Sequence, residues 1–224
     1  MSFDEFIANS RSIFDSFPNE SVWLEGGLLP NRQLQKPEAG YCIVIRYDEK
    51  TTDTIAAFME RVQAILPPIV KYTPHTFHTT IGVHGKKELE EFVPDSELLG
   101  YLNKSIKEGL RARSGPFWVE FRQWLFNQEA VLVSGYPNEN LWQLFQNIKI
   151  ACQKHGVHLE MGRMVHVTTA RFISSVSHHV FERFMHVMKS APIIESTKPE
   201  AVDLASWRCD GLSFDLITHQ RYAL

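Results

Sequence analysis

The chain has 224 residues, which is enough for one large domain or two small lobes around a sizeable core. Its apolar share of 44% and charged share of 22% are those of an ordinary globular protein. The net charge of −3 argues against a surface that holds long nucleic acid, which needs many lysines and arginines, while a small or short anionic ligand stays compatible.

The three cysteines, Cys42, Cys152 and Cys209, are far apart and form no Cys-x-x-Cys pair, so neither a disulfide framework nor a zinc finger is expected. The first residues lack the basic and apolar segments of a signal peptide. No apolar run reaches the ~18 residues of a membrane span. We therefore expect a cytoplasmic protein without a membrane partner.

Residues 1–40 are expected to form a helix and an arm in front of the main domain. Apolar side chains recur at roughly helical spacing over residues 3–17, which predicts an amphipathic helix packed on the domain. Residues 18–40 are rich in Pro, Gly and Asn and contain Trp23, a composition typical of an ordered segment on a domain surface. Two alternatives stay open: the helix binds a partner, or the arm lines the functional site.

Four elements are predicted in the first half of the main domain, 41–224. In chain order they are a strand over 41–47, a helix over 51–66, a strand over 77–83 and one or two helices over 87–113. Gly85 is expected to end the second strand. Asp95 or Ser96 is expected to cap the helix that follows Pro94.

The second half repeats this order after a predicted hairpin. The hairpin strands lie over 116–125 and 130–134, followed by a helix over 138–155, a strand over 165–173, a helix over 177–190 and closing strands over 202–207 and 212–218. Asn138 is a candidate cap for the first of these helices, and Gly156 is expected to end it. The two halves share only one short word, so the repeat is one of architecture.

That word is His-x-Thr, which occurs as His78-Thr79-Thr80 and again 88 residues later as His166-Val167-Thr168. Of the ten histidines, only these two have Thr or Ser two positions further on. Residues i and i+2 share a strand face, so each word presents an imidazole and a hydroxyl in one direction. In the first strand, the same alternation predicts Gly82 and His84 on the face of His78.

Two histidines that face one cleft can divide acid and base work without a metal, because an unperturbed pKa near ~6.5 makes both forms accessible. Cleavage of a phosphodiester suits such a pair, since the attacking and the leaving oxygen each need a proton moved. Thr80 and Thr168 can donate hydrogen bonds to the phosphate oxygens on which charge builds. The sequence therefore predicts His78 and His166 as an acid/base pair and the two threonines as hydrogen-bond donors to the phosphate.

A metal site is the competing interpretation of this region. His75, His78 and His84 are close in sequence, but six residues of strand span about 20 Å, so His78 and His84 reach one ion only if the strand bends. The other histidines are expected to be structural or exposed on the surface. We therefore predict no metal ligands.

The two motif segments resemble those of the two-histidine (2H) phosphoesterases, and within them the RNA 2′,3′-cyclic phosphodiesterases long called 2′-5′ RNA ligases. The segments are PHTFHTTIGVHG, Pro74 to Gly85, and VHVTTAR, Val165 to Arg171. The hairpin and the long helix between them come in the family's order, and the resemblance covers about residues 41–220. One departure is Thr169, where the family usually has an apolar residue.

The resemblance implies an α+β fold of two lobes, each an antiparallel sheet with helices on its outer face, related by a pseudo-twofold axis around a central groove. It implies that His78, Thr80, His166 and Thr168 form the catalytic site in that groove, with no cofactor. Arg171 matches the motif's arginine and is expected to contact phosphate or to form a structural salt bridge. Strict strand alternation would turn it away from the face of His166.

The implied activity is that of a metal-independent phosphodiesterase acting on a 2′,3′-cyclic phosphate or a 2′-5′ linked nucleotide or short RNA end. Two alternatives stay open. One is a phosphodiesterase of a cyclic nucleotide or oligonucleotide signal, and the other is a non-catalytic nucleotide-binding or scaffold module. The oligomeric state is left open.

Overall fold

The computed structural model describes residues 1–17, 19–112 and 115–224. Pro18 of the predicted arm and Arg113 at the end of the predicted helices lie outside the described residues. The helices in the described part are α1 Phe3–Asp15, α2 Glu49–Gln63, α3 Ser96–Arg111, α4 Glu139–Lys154 and α5 His178–Met188. The strands are β1 Glu38–Arg46, β2 Ile69–Lys71, β3 Thr79–Glu88, β4 Val119–Phe126, β5 Ala130–Pro137, β6 Glu160–Met161, β7 Val165–Phe172, β8 Ala201–Cys209 and β9 Phe214–Ala223.

The strands form two antiparallel sheets. One has the order β6-β3-β1-β8-β9 and the other the order β2-β7-β5-β4. Each half of the chain lends a short strand to the other half's sheet: β2 pairs with β7, and β6 pairs with β3. Each motif strand is therefore flanked by a short strand from the opposite half, and the predicted two-lobed α+β fold is confirmed.

The sheet that contains β1 packs against the main core on one face, as the alternation along β1 shows. Ile43 and Ile45 belong to the main core, while Cys42 and Val44 belong to a smaller apolar cluster with Ala205. Burial of apolar side chains such as these favours packing of the helices on the sheet, by about 25 cal/mol per Å² of apolar surface. The opposite face of the sheet is left to line a groove.

Local signals in the sequence set several helix ends as predicted. The carboxylate of Asp95 accepts hydrogen bonds from the backbone N–H groups of Glu97 (2.8 Å) and Leu98 (3.2 Å), which are otherwise unpaired at a helix start. Asn138 caps α4 in the same way. Gly156 follows α4 with a φ of +73°, a conformation that favours glycine.

The N-terminal helix α1 packs on the second half of the chain. It begins with a capping box between Ser2 and Glu5. On its inner side, the ring of Phe14 lies 5.6 Å from that of Tyr136. The following arm is held by the backbone of the β4–β5 turn and of β7, and β1 begins at Glu38, inside the segment predicted as arm. The division of the chain at residue 40 stays a prediction.

The strand β3 differs from the prediction at both ends. It begins one residue after His78 and continues through Gly85, so the prediction that this glycine ends the strand is wrong. The pairing with β1 shifts register at this point, and Gly85, with a φ of +63°, sits in a bulge. The short strands β2 and β6 were not predicted. None of the helices in the described part of the chain has the length and apolar character to traverse a lipid bilayer.

Candidate active site

The two motif strands, β3 and β7, meet across the junction of the two sheets. The hydroxyl of Thr79 donates a hydrogen bond of 2.9 Å to the backbone carbonyl of His166. Because its single proton is used there, the hydroxyl of Tyr47 acts as the donor in the 2.7 Å hydrogen bond to Thr79. Thr79 is the middle residue of the first His-x-Thr word, and its hydrogen bond links the two words.

All five predicted site residues line one cavity of about 310 Å³: His78, Thr80, His166, Thr168 and Arg171. The i, i+2 spacing within each word brings its imidazole and hydroxyl to the same wall, as expected. The structure therefore brings together the residues that the sequence singled out. Their catalytic roles remain a prediction.

A bulge in β7 places Arg171 in this cavity, contrary to the expectation from strict alternation. In the pairing with β5, Ala170 is opposite Val131 and Thr168 is opposite Leu132, so Thr169 has no partner position. The extra residue reverses the facing of the side chains after it and turns Arg171 to the side of Thr168. The buried hydroxyl of Thr169, the residue that departs from the family pattern, donates to the carbonyl of Val131 at 3.1 Å.

A matching bulge occurs in β3. Ile43 pairs with Gly82 and Val44 pairs with Thr80, which leaves Ile81 unpaired. As a result Val83 lines the cavity, and the predicted placement of Gly82 and His84 beside His78 is wrong. Since both words are followed by a bulge one residue after the threonine, Val83 is the counterpart of Arg171.

The same bulge separates the histidines of the alternative metal site, because His78 and His84 no longer share a strand face. His84 faces away from the cavity, and its Nδ1 lies 2.6 Å from the carbonyl oxygen of His158. Among the described residues, no three His, Cys, Asp or Glu side chains form a group that could hold a metal ion.

Each candidate catalytic imidazole lies near the backbone carbonyl of the residue two positions earlier. His78 Nδ1 lies 2.6 Å from the carbonyl oxygen of Thr76, so Nδ1 carries the proton and Nε2 is left as the acceptor. For His166 the corresponding carbonyl is that of Met164. It is near enough to favour a charged ring, although Nδ1 of His166 has no partner in full hydrogen-bond geometry. The first imidazole is therefore held more firmly than the second.

Burial lowers the pKa of both His78 and His166 to about 4. For His78, the hydrogen bond to Thr76 opposes this shift, while the charge of Arg46 adds to it. For His166, the charge of Arg171 also lowers the pKa. Both imidazoles are thus neutral near pH 7 in the empty groove. A bound phosphate would act in the opposite direction, because its negative charge favours the imidazolium.

Arg46 holds the turn that precedes His78. Its Nη2 donates to the carbonyl oxygens of His75 and Pro74, the latter at 3.4 Å, and its Nε lies 3.7 Å from a carboxylate oxygen of Asp203. Asp203 is fully buried and accepts two further hydrogen bonds of 2.8 Å from Arg221. This paired charge network fixes the turn whose Thr76 carbonyl orients His78.

The closing strands contribute an aromatic wall that sequence analysis did not assign to the site. The ring of Phe214 stacks on that of Tyr72 at 4.6 Å and on the imidazole of His78 at 5.8 Å, and Trp207 lies parallel to it at 6.5 Å. All four rings border the cavity. No local motif marks these residues, because the strands that carry them reach the groove only through sheet pairing.

Arg171 is held by neutral groups. Its Nε donates to the hydroxyl of Tyr72 at 2.9 Å, and its Nη1 donates to the side-chain oxygens of Asn31, at 3.3 Å, and Gln33. Gln33 also lines the cavity. This part of the arm therefore lies at the predicted site, as one of the two alternatives for residues 1–40 expected.

Comparison with solved structures identifies the fold. A crystal structure of Escherichia coli LigT with 3′-AMP matches with a TM-score of 0.53 at 16% identity, over 84% of this chain and 98% of that one. A structure described as a phosphoesterase matches with a TM-score of 0.55 at 15% identity, over 84% and 99%. A Thermus thermophilus protein matches with a TM-score of 0.58 at 14% identity, over 83% and 97%.

No protein-family model matches the sequence, and no curated protein matches it significantly. At identities this low, the structural likeness establishes the fold alone. The expected likeness to the 2H phosphoesterases is thus confirmed at the level of the fold.

Proposed function

We propose that the protein is a metal-independent phosphodiesterase that opens a 2′,3′-cyclic phosphate or cleaves a 2′-5′ linked nucleotide with His78 and His166 as its acid/base pair. The observation that carries this proposal is that both His-x-Thr words open on one cavity. The two hydroxyls there lie on β3 and β7, which belong to separate sheets. The imidazole of His78 lies one residue before β3, and that of His166 lies on β7. Fold likeness to phosphoesterases supports the coarser part of the proposal.

In the proposed reaction, the neutral imidazole of one histidine accepts a proton from water as the water oxygen attacks phosphorus. The other histidine, as imidazolium, donates a proton to the ribose oxygen as its bond to phosphorus breaks. Thr80 and Thr168 donate hydrogen bonds to the non-bridging oxygens, where negative charge accumulates. The product is a phosphomonoester, and one proton has passed from water to the leaving oxygen by way of the pair.

The low pKa of both histidines keeps the rings in the neutral form that the base needs, and the protonated acid requires an explanation. Near pH 7 the empty groove holds two neutral rings, because burial lowers both pKa values to about 4. The substrate brings a negative phosphate into the same groove, and this charge raises the pKa of the nearby rings. In this proposal, substrate binding itself supplies the protonated acid.

The size and walls of the cavity are consistent with a nucleotide. Its volume of about 310 Å³ lies at the lower end of the range for small-ligand pockets, about 300–1,000 Å³. The wall formed by Phe214 and Trp207 offers ring faces on which a base can stack. Nucleotides occupy the related fold elsewhere: Escherichia coli LigT has been crystallised with 3′-AMP, ATP and NADP⁺.

The test is turnover of 2′,3′-cyclic nucleotides, 2′-5′ oligoadenylates and cyclic dinucleotides by wild type, His78→Ala and His166→Ala. Each substitution should lower kcat by about 10²–10⁴-fold, and wild-type turnover should persist in EDTA. His84→Ala is the matched control, because His84 lies on β3, the strand that follows His78, and faces away from the cavity. Equal turnover by wild type and both alanine variants would refute the proposal.

The same panel separates the alternatives. Turnover confined to cyclic dinucleotides would favour degradation of a cyclic nucleotide signal. Binding without any product would instead favour a nucleotide-binding module.

A further inference from the structure

The arm between α1 and β1 is fixed against the rim of the groove at Asn31. The backbone N–H of Asn31 donates to the carbonyl of Phe172 at 2.8 Å, and its side-chain amide donates to the carbonyl of Glu129 at 3.3 Å. Its side-chain oxygen caps the short 3₁₀ helix Arg32–Gln35 by accepting from the N–H of Gln33 at 2.9 Å. Asn31 is only 3% exposed, so this part of the arm is built into the domain.

The arm meets the groove at Arg171. A guanidinium has five N–H donors. Those of Arg171 reach the hydroxyl of Tyr72 and the side-chain oxygens of Asn31 and Gln33. These three acceptors are neutral, and no carboxylate among the described residues forms an ion pair with Arg171. Such partners orient the guanidinium without cancelling its charge.

The charge of Arg171 is distinctive within the groove. Its counterpart in the other half is Val83, which is apolar. The other long cationic side chain on the wall, Lys86, is paired with Glu38 at 2.6 Å. Among the described residues that line the cavity, Arg171 is therefore the arginine or lysine without a carboxylate in ion-pair distance.

We propose that Gln33 and Asn31 belong to the substrate site as positioning residues, and that they aim Arg171, which forms no ion pair, at an anionic phosphate group in the groove. The arm then completes the anion site instead of merely covering the domain. The choice of phosphate as the ligand rests on the proposed function. The requirement for a neutral acceptor at position 33 rests on the contacts of Arg171.

The decisive variant is Gln33→Glu, which keeps the size of the side chain and replaces a neutral acceptor by a carboxylate. If Gln33 only fastens the arm, the new ion pair with Arg171 should hold the arm at least as firmly and leave ligand binding unchanged. If Gln33 preserves the charge of Arg171, the carboxylate should cancel it and repel the phosphate. Gln35→Glu is the matched control, since it makes the same charge change in the same 3₁₀ turn at an exposed position.

The measurements are the dissociation constant of inorganic phosphate by calorimetry at low ionic strength, the thermal midpoint, and KM and kcat for a 2′,3′-cyclic mononucleotide. Gln33→Glu should weaken phosphate binding about 10-fold or more and raise KM more than it lowers kcat, with an unchanged or higher thermal midpoint. Gln33→Ala, which removes one contact but adds no charge, should weaken binding only by a few-fold. Gln35→Glu should bind phosphate as the wild type does.

Wild-type phosphate affinity in Gln33→Glu, an equal loss in Gln35→Glu, or no phosphate binding by the wild type would overturn the inference. Its failure is separable from that of the proposed function. Phosphate binding that depends on Gln33 without nucleotide turnover supports the arm's role and removes the phosphodiesterase. Nucleotide turnover that is unchanged by Gln33→Glu supports the phosphodiesterase and removes the role of the arm.

Discussion

At the scale of residues, the pKa of each of the two histidines is set by its surroundings more than by the other histidine. Burial is the largest influence on the pKa of each ring, and the neighbouring positive charges of Arg46 and Arg171 act in the same direction. This arrangement keeps the empty groove free of positive charge on the imidazoles near neutral pH. It also makes the protonation of the pair responsive to an anionic ligand.

We therefore predict that anion binding is linked to proton uptake by the histidines. Sulfate is a suitable probe, because its charge is constant over the relevant pH range. Since a bound dianion favours imidazolium, the pKa of His78 and His166 should rise on binding, and sulfate affinity should increase as the pH falls from 7 to 5. NMR titration of the imidazole signals with and without sulfate measures both effects. Sulfate affinity that is independent of pH would contradict this linkage.

At the scale of elements, the contact between β3 and β7 holds the two sheets in the relative position that the site requires. Thr79 and Tyr47 are buried, and Thr79 accepts from Tyr47 and donates to the carbonyl of His166. The bulges after each threonine then re-aim the next side chains, so that one half presents Arg171 and the other presents Val83. Pairing between strands, and not the alternation within one strand, decides which residues face the groove.

Thr79→Val should destabilise the protein by about 1–3 kcal/mol, because it keeps the side-chain shape but leaves the buried Tyr47 hydroxyl without its acceptor. Tyr47→Phe removes that hydroxyl while Thr79 still donates to His166, so its cost should be smaller. In the double variant no Tyr47 hydroxyl remains to be satisfied, and the combined loss should be less than the sum of the two. Unfolding in urea measures the three values, and strict additivity would speak against the coupling.

At the scale of the whole molecule, the partly buried histidines His78 and His166 make folding stability depend on pH. Their folded-state pKa of about 4 lies below the value near ~6.5 expected in the unfolded chain. Between these values the unfolded state binds more protons, so stability is fully present above pH ~6.5 and is lost as the pH falls toward 4. Each histidine contributes at most about 3–4 kcal/mol to this loss.

The double variant His78→Gln, His166→Gln should therefore lose less stability than the wild type between pH 7 and pH 5. Glutamine does not titrate, while the carboxylates elsewhere in the protein are common to both chains. The comparison uses the free energy of unfolding from urea titrations at each pH. Parallel pH profiles for the two proteins would show that the histidines are not the source of the dependence.

Much of the architecture was predictable because its signals are local. The apolar periods of β1, α2 and α4 marked these elements, and Asp95 and Asn138 cap their helices as their side-chain chemistry suggests. The two-residue spacing between histidine and threonine in each His-x-Thr word was enough to predict that the imidazole and the hydroxyl share a wall. These features depend on residues within one or two turns of each other, so the chain carries them without reference to its fold.

Tertiary structure alone decided which further residues meet the two words. Arg171 faces the groove because a bulge appears when β7 pairs with β5, and Gln33 and Phe214 arrive from opposite ends of the chain. A strand's alternation predicts facing only while its register with its neighbour is unbroken, and register is a property of two strands. The sequence by itself therefore determined the paired histidines and threonines, while long-range packing determined the cationic and aromatic walls around them.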